Sequence, residues 1–277
     1  MPPVPSPACT LDRRRFMALC AAASTAAAVP SVVHAGGIEE RTGLRQIFQE
    51  HGVAGAFALH DPAGDRTITV NRERAARRYV PASTFKMANS IIALETGVVR
   101  DENEVIPFGG KPQPFKAWEK DMPMREAIAA SNVPVYQEIA RRVGLERYRQ
   151  WLGRLDYGNR QTGTALETFW LDGPLEISAL EQVRFVAALA QQKLAVSKRS
   201  QGIVRDILRL EDSNGRALYG KTGWRSSGKL QLGWWTGWVE RDARNVAFAL
   251  NIDIASPADA PKRVAIGKLL LARLGVL

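Results

Sequence analysis

A serine three residues before a lysine can carry out acyl transfer if the two side chains meet, because an unprotonated amine can take the hydroxyl proton. The chain holds this spacing twice, as Ser83–Lys86 and as Ser226–Lys229. "PASTFKMANSIIALETG" reads as a helix that begins at the serine, just after Pro81, and ends at Gly97. Positions i and i+3 share a helix face, so Lys86 can reach the Ser83 hydroxyl, and the helix end turns backbone N–H groups toward any negative charge that develops there. Ser226–Lys229 sits in a glycine-containing loop, where the same spacing guarantees no shared face. A serine at a helix start is also an ordinary cap. On this stretch alone both readings stay open.

A second string is equally double. "GRALYGKTGW", residues 215–224, fits the phosphate-cradling loop G-x-x-x-x-G-K-T, and it also contains Lys221-Thr222-Gly223, a motif that lines the cleft of serine acyl-transfer enzymes. A phosphate loop needs a buried strand before it and a helix after it. Here "DILRLEDSN", a helix end and a turn, precedes, and "RSSGKL", with no helical period, follows. The nucleotide reading therefore fails on context. Serine–histidine–aspartate chemistry lacks a base in place: outside the first 35 residues the histidines are His51, at a helix end, and His60, beside a turn. No cluster with metal-ligand spacing occurs, so no metal is expected. Any serine chemistry must use another base, and lysine is the obvious substitute.

The elements that would position these residues follow a leader. Arg13, Arg14 and Arg15 precede an uncharged run from Met17 to Val29, and "VVHA" offers a cut after Ala35. That run is too short to span ~30 Å of hydrocarbon, so residues 1–35 read as a signal peptide, and no stable membrane anchor is expected. Arg13 and Arg14 also fit the twin-arginine export pattern. Both cysteines, Cys9 and Cys20, lie in this segment, which leaves no disulfide in residues 36–277. The bulky Leu19 before Cys20 argues against a lipid anchor. The chain has a net charge of +10, but its arginine-rich runs interleave acids and apolar residues at helical spacing. They read as solvated helix faces, so no nucleic-acid partner is expected.

Beyond the leader, "IEERTGLRQIFQEHG" has near-helical apolar spacing, and "VAGAFALHD" and "RTITVN" read as a β-hairpin. Helical patterns dominate from about Glu119 to Leu155 and across "ALEQVRFVAALAQQKL". Strands return as "ALYGKTGW", "LGWWTGWVE" and "NVAFALNIDI", and a last helix runs from about Pro261 to Leu274. The expected fold is α+β: an antiparallel sheet of five to six strands flanked by terminal helices, with a mainly helical subdomain inserted at about 87–190.

With these pieces in order, the sequence resembles the class D, or oxacillinase-type, serine β-lactamases. Ser83-x-x-Lys86 is followed by "SNV" at Ser131–Val133, "YGN" at Tyr157–Asn159, "FWLDGPLEIS" with Trp170, and "KTGW" at Lys221–Trp224. No Glu-x-x-Leu-Asn stretch lies between Tyr157 and Trp170, which disfavours class A. The resemblance covers essentially all of residues 36–277 and implies a penicillin-binding-protein-like fold acting on a small-molecule β-lactam in the periplasm. It implies Ser83 as nucleophile and Lys86 as general base after addition of CO₂, with no other cofactor. Trp170 would donate to that carbamate, and Ser131 would pass a proton to the leaving nitrogen. The backbone N–H groups of Ser83 and Trp224 would form the oxyanion hole. Lys221, Thr222, Gly223 and Arg263 would hold the substrate carboxylate. Val133 and Trp170, by default core residues, become pocket walls by resemblance alone, and Tyr157 and Asn159 would support a loop.

Overall fold

A computed structural model describes residues 37–277 apart from 214, 229, 230 and 243. Its main sheet has seven strands: β1 (Ile38–Glu40), β2 (Gly55–Asp61), β3 (Arg66–Val70), β4 (Arg209–Ser213), β5 (Arg216–Arg225), β6 (Gln231–Arg241) and β7 (Arg244–Ile254). They lie in the order β1-β3-β2-β7-β6-β5-β4. The six described helices of ten or more residues are α1 (Lys86–Glu95), α2 (Val133–Val143), α3 (Leu145–Arg154), α4 (Ala179–Ala190), α5 (Lys198–Ile207) and α6 (Lys262–Arg273).

The central strands are apolar on both faces because both faces are covered. Strand alternation sends neighbouring tryptophans of β6 in opposite directions. Trp234 and Trp238 join a core with α1, α2 and α4, whereas Trp235 joins a second core with α6 and the short helix Gln46–Glu50. Helix α6 can approach that closely because residue 267 is glycine; a Cβ there would meet the Trp235 ring at 2.3 Å.

Two strands depart from the sequence expectation. Ile38–Glu40, read as the start of a helix, forms β1 and pairs parallel to β3, which makes the sheet mixed. Three residues are too few to show a period, and Glu39 is fixed instead by ion pairs with Arg41 and Arg66. Arg209–Ser213, read as a helix end and turn, forms the outer strand β4. It is exposed along its whole length and so lacks the apolar alternation that marks a strand. Of the helices between residues 87 and 190, α4 lies directly on the sheet, against β2, β6 and β7, where it supports the turn that carries Ser83, described next.

Candidate active site

Ser83 lies in a 3₁₀ turn, Ala82–Phe85, and Lys86 opens α1. The helix thus starts three residues later than the sequence pattern predicts, with a tighter turn in front. Ala82 has φ of +49°, in the left-handed region that non-glycine residues rarely adopt. Hydrogen bonds hold this turn from within: Thr84 Oγ1 donates to Pro81 O at 2.7 Å, and Gln182 Nε2 of α4 donates to Thr84 Oγ1 at 2.8 Å. Lys86 Nζ lies 2.8 Å from Ser83 Oγ and is fully buried. The Tyr136 ring lies beside it, with the centroid 5.1 Å from Nζ. Burial, and after it the charge of Lys221, drives Lys86 well below the ordinary lysine range, a shift that favours the neutral amine.

A second hydroxyl–lysine pair faces the first. Ser131, at φ of +54°, follows the short helix Met124–Ala129. Asn132 then caps α2 by accepting from the Val135 amide at 3.0 Å, so the local chain geometry is set by the cap. Lys221 on β5 donates to Ser131 Oγ at 3.0 Å and to Thr222 O at 2.9 Å. Burial, followed by repulsion from Arg263, pulls Lys221 down to about 7.

Strand β5 presses on the turn that carries Ser83. A Cβ at Gly223 would sit 2.9 Å from Pro81 O and 3.2 Å from Thr84 N, so only glycine lets the two backbones approach this closely. Ser83, Ser131, Val133, Thr222, Gly223, Trp224 and Arg263 all line one cleft of about 450 Å³. Arg263, on α6, is part-buried, and its Nε and Nη1 atoms have no hydrogen-bond partner. Two unsatisfied cationic donors on a residue that lines the cleft suit an anion as partner.

Tyr157, Asn159 and Trp170 stand behind this cleft and do not line it. The Tyr157 ring packs edge-on against Phe85 with centroids 5.5 Å apart. Asn159 donates to Pro174 O at 2.7 Å and accepts from the amides of Gln161 and Glu176, both at 3.1 Å, which ties the loop together. Trp170 is fully buried against Phe85 and Phe169, and its Nε1–H has no partner. Of the second serine–lysine pattern, Ser226 is at the cleft mouth and Lys229 lies outside the described residues. "GRALYGKTGW" ends in strand β5 with no helix after it, which rules out the phosphate loop. Sequence reasoning missed Gln182, Phe115, Trp118, Leu171, Asp172 and Arg225. The one available signal was Gln182, a polar residue inside the apolar run "ALEQVRFVAALA".

Residues 54–272 match the family model described as the penicillin binding protein transpeptidase domain, which sets the class of this fold and site. The chain belongs to the class D, OXA-type β-lactamases. It is 38% identical to β-lactamase OXA-10 of Pseudomonas aeruginosa over 254 residues, covering 91% of this chain and 96% of that one. It is 39% identical to OXA-48 of Klebsiella pneumoniae over 224 residues, covering 81% and 84%. The solved structure of the class D β-lactamase FUS-1 from Fusobacterium nucleatum superposes with a TM-score of 0.83 at 37% identity, covering 86% of this chain and all of that one.

Proposed function

We propose that this protein hydrolyses the amide of penicillin-type β-lactams through an acyl-enzyme on Ser83, and so confers β-lactam resistance. The observation that carries the reading is the buried Lys86 amine, 2.8 Å from the Ser83 hydroxyl. Ser83 Oγ bonds to the lactam carbonyl carbon, and its proton passes to the base at Lys86. The lactam C–N bond breaks as the ring nitrogen receives a proton from Ser131, which Lys221 resupplies across 3.0 Å. Backbone N–H groups of Ser83 and Trp224 stabilise the oxyanion, and Lys221, Thr222 and Arg263 hold the ring carboxylate. The proton taken up at Lys86 is then passed on to refill Lys221, which frees the base. Water attacks the ester carbonyl and gives its proton to that base, and the base returns it to Ser83 Oγ as the ester C–O bond breaks.

The pocket around Lys86 also fits CO₂. Only a neutral amine adds CO₂, and burial shifts Lys86 toward that form. The unpartnered Trp170 Nε1–H is a waiting donor, while Phe85 and Val133 provide apolar cover that keeps bulk water away. Bound there, CO₂ supplies a carbamate that serves as a stronger general base near neutral pH. Export completes the reading: we infer a periplasmic enzyme whose signal peptide, residues 1–35, lies outside the described residues. No described helix is long and apolar enough to cross a membrane.

The test is steady-state turnover of benzylpenicillin together with intact-mass measurement. Wild type should turn over many equivalents and Ser83→Ala should form no acyl adduct. A single burst in the wild type marks a penicillin sensor instead, and an adduct on the mutant removes Ser83 from its role.

A further inference from the structure

The cleft holds a cation that the proposed reaction leaves idle. Arg225, at the end of β5, lines the same cleft as Ser83 and Arg263, and its Nε is buried without a hydrogen-bond partner. The carboxylate in that lining, Asp172, accepts a 2.6 Å hydrogen bond from Ser227. The guanidinium rests against Gly228, where a Cβ would lie 3.3 Å from Nη2, so the turn after β5 shapes the place it occupies.

Strand alternation fixes which way Arg225 faces. Residues 221, 223 and 225 share one face of β5. On that face Lys221 meets Ser131, and Gly223 meets the nucleophile turn. At ~3.3 Å per residue, Arg225 stands ~13 Å along the strand from Lys221, on the far side of Gly223. In a penicillin the ring carboxylate and the acylamino side chain lie on opposite sides of the reactive carbonyl. With the carboxylate at Lys221, Thr222 and Arg263 and the carbonyl beside Gly223, the acylamino side chain runs toward Arg225.

We propose that Arg225 forms a second anion subsite, which binds a carboxylate carried on the acylamino side chain and tunes the enzyme toward dianionic β-lactams. This rests on the β-lactam reading above. The guanidinium presents its donors as a planar fork that matches a carboxylate, and cleft walls raise the strength of such a pair above that of a surface ion pair.

The experiment compares benzylpenicillin with its α-carboxy derivative, which differ by one carboxylate, in wild type, Arg225→Ala and Arg225→Lys. The readout is the ratio of kcat/KM for the dianion to that for the monoanion, so a general loss of folding cancels. The ratio should fall about tenfold in Arg225→Ala, a size expected for one charge-assisted hydrogen-bonded pair, and recover in part in Arg225→Lys. In wild type the ratio should also fall as salt rises, and in Arg225→Ala it should be much less sensitive to salt. A ratio within twofold of wild type in Arg225→Ala overturns the subsite. If wild type acylates without turning over, the hydrolysis reading fails, and the same ratio is read from acylation rates by mass. If neither penicillin acylates it, both proposals fall.

Discussion

Replacing Arg263 with alanine should reveal two separate roles in one experiment. Its Nε and Nη1 have no hydrogen-bond partner, and in the proposed mechanism Arg263 binds the substrate carboxylate. A hydrogen bond to a charged group contributes about 1.5–3 kcal/mol, so KM should rise roughly ten- to a hundredfold. The carboxylate is held alike in ground and transition states, so kcat should change far less. The second role is electrostatic. After burial, Arg263 is the charge that lowers Lys221 to about 7. Below that value Lys221 is an ammonium, able to hold the carboxylate and to resupply Ser131; above it the amine is neutral. Wild-type kcat/KM should therefore fall as pH climbs through about 7. Without Arg263 the ammonium is easier to keep, and this alkaline limb should move up by about one pH unit. Initial rates on benzylpenicillin from about pH 5 to about pH 9 cover both limbs. The melting temperature should not drop, because the substitution removes a part-buried cation that has no ion-pair partner. Unchanged kinetics would place the carboxylate on another cation. A raised KM with an unmoved alkaline limb would refute the coupling to Lys221.

Three further outcomes are expected. In degassed buffer the rate should decline reversibly by up to ~10²–10⁴-fold and return with bicarbonate, and Trp170→Phe should need more bicarbonate because its donor is gone; indifference of both proteins makes Lys86 a plain amine base. Gly223→Ala should separate β5 from the Pro81–Thr84 turn, costing about 1–3 kcal/mol of stability and a larger share of kcat/KM than of secondary structure by circular dichroism; a wild-type rate would show that the contact is not needed. N-terminal sequencing of the exported protein should begin at Gly36, and a start upstream of Cys20 would count against the assigned leader.

What the sequence revealed follows from the range of each interaction. Ser83 and Lys86 are legible because their contact is set by three residues of local chain, and the Lys221 strand because its flanks exclude the rival fold. Central strands such as β7 announce themselves through long apolar runs. By contrast β1 and β4, at the sheet edges, carry charges outward and have no period to read. The support of the Ser83 turn by Gln182 joins residues 98 apart, and no local pattern encodes such a pairing. Arg263 illustrates the same limit. Alone it is one helix arginine among many, and only resemblance, then the shared cleft, sets it apart. Arg225 had no such help, since its strand position matters only once Gly223 is known to touch Thr84.

The sheet is closed late. Strand β2 pairs on one side with β3, its neighbour in the chain, but on the other with β7, so that His60 lies opposite Ala247, about 190 residues on. Contacts of such sequence separation carry a heavy entropy of loop closure and are made slowly. During synthesis the first hairpin must wait, one edge unpaired, until nearly the whole chain has left the ribosome. That delay leaves the apolar β2 edge open to chaperones, or to another copy of itself, until β7 arrives.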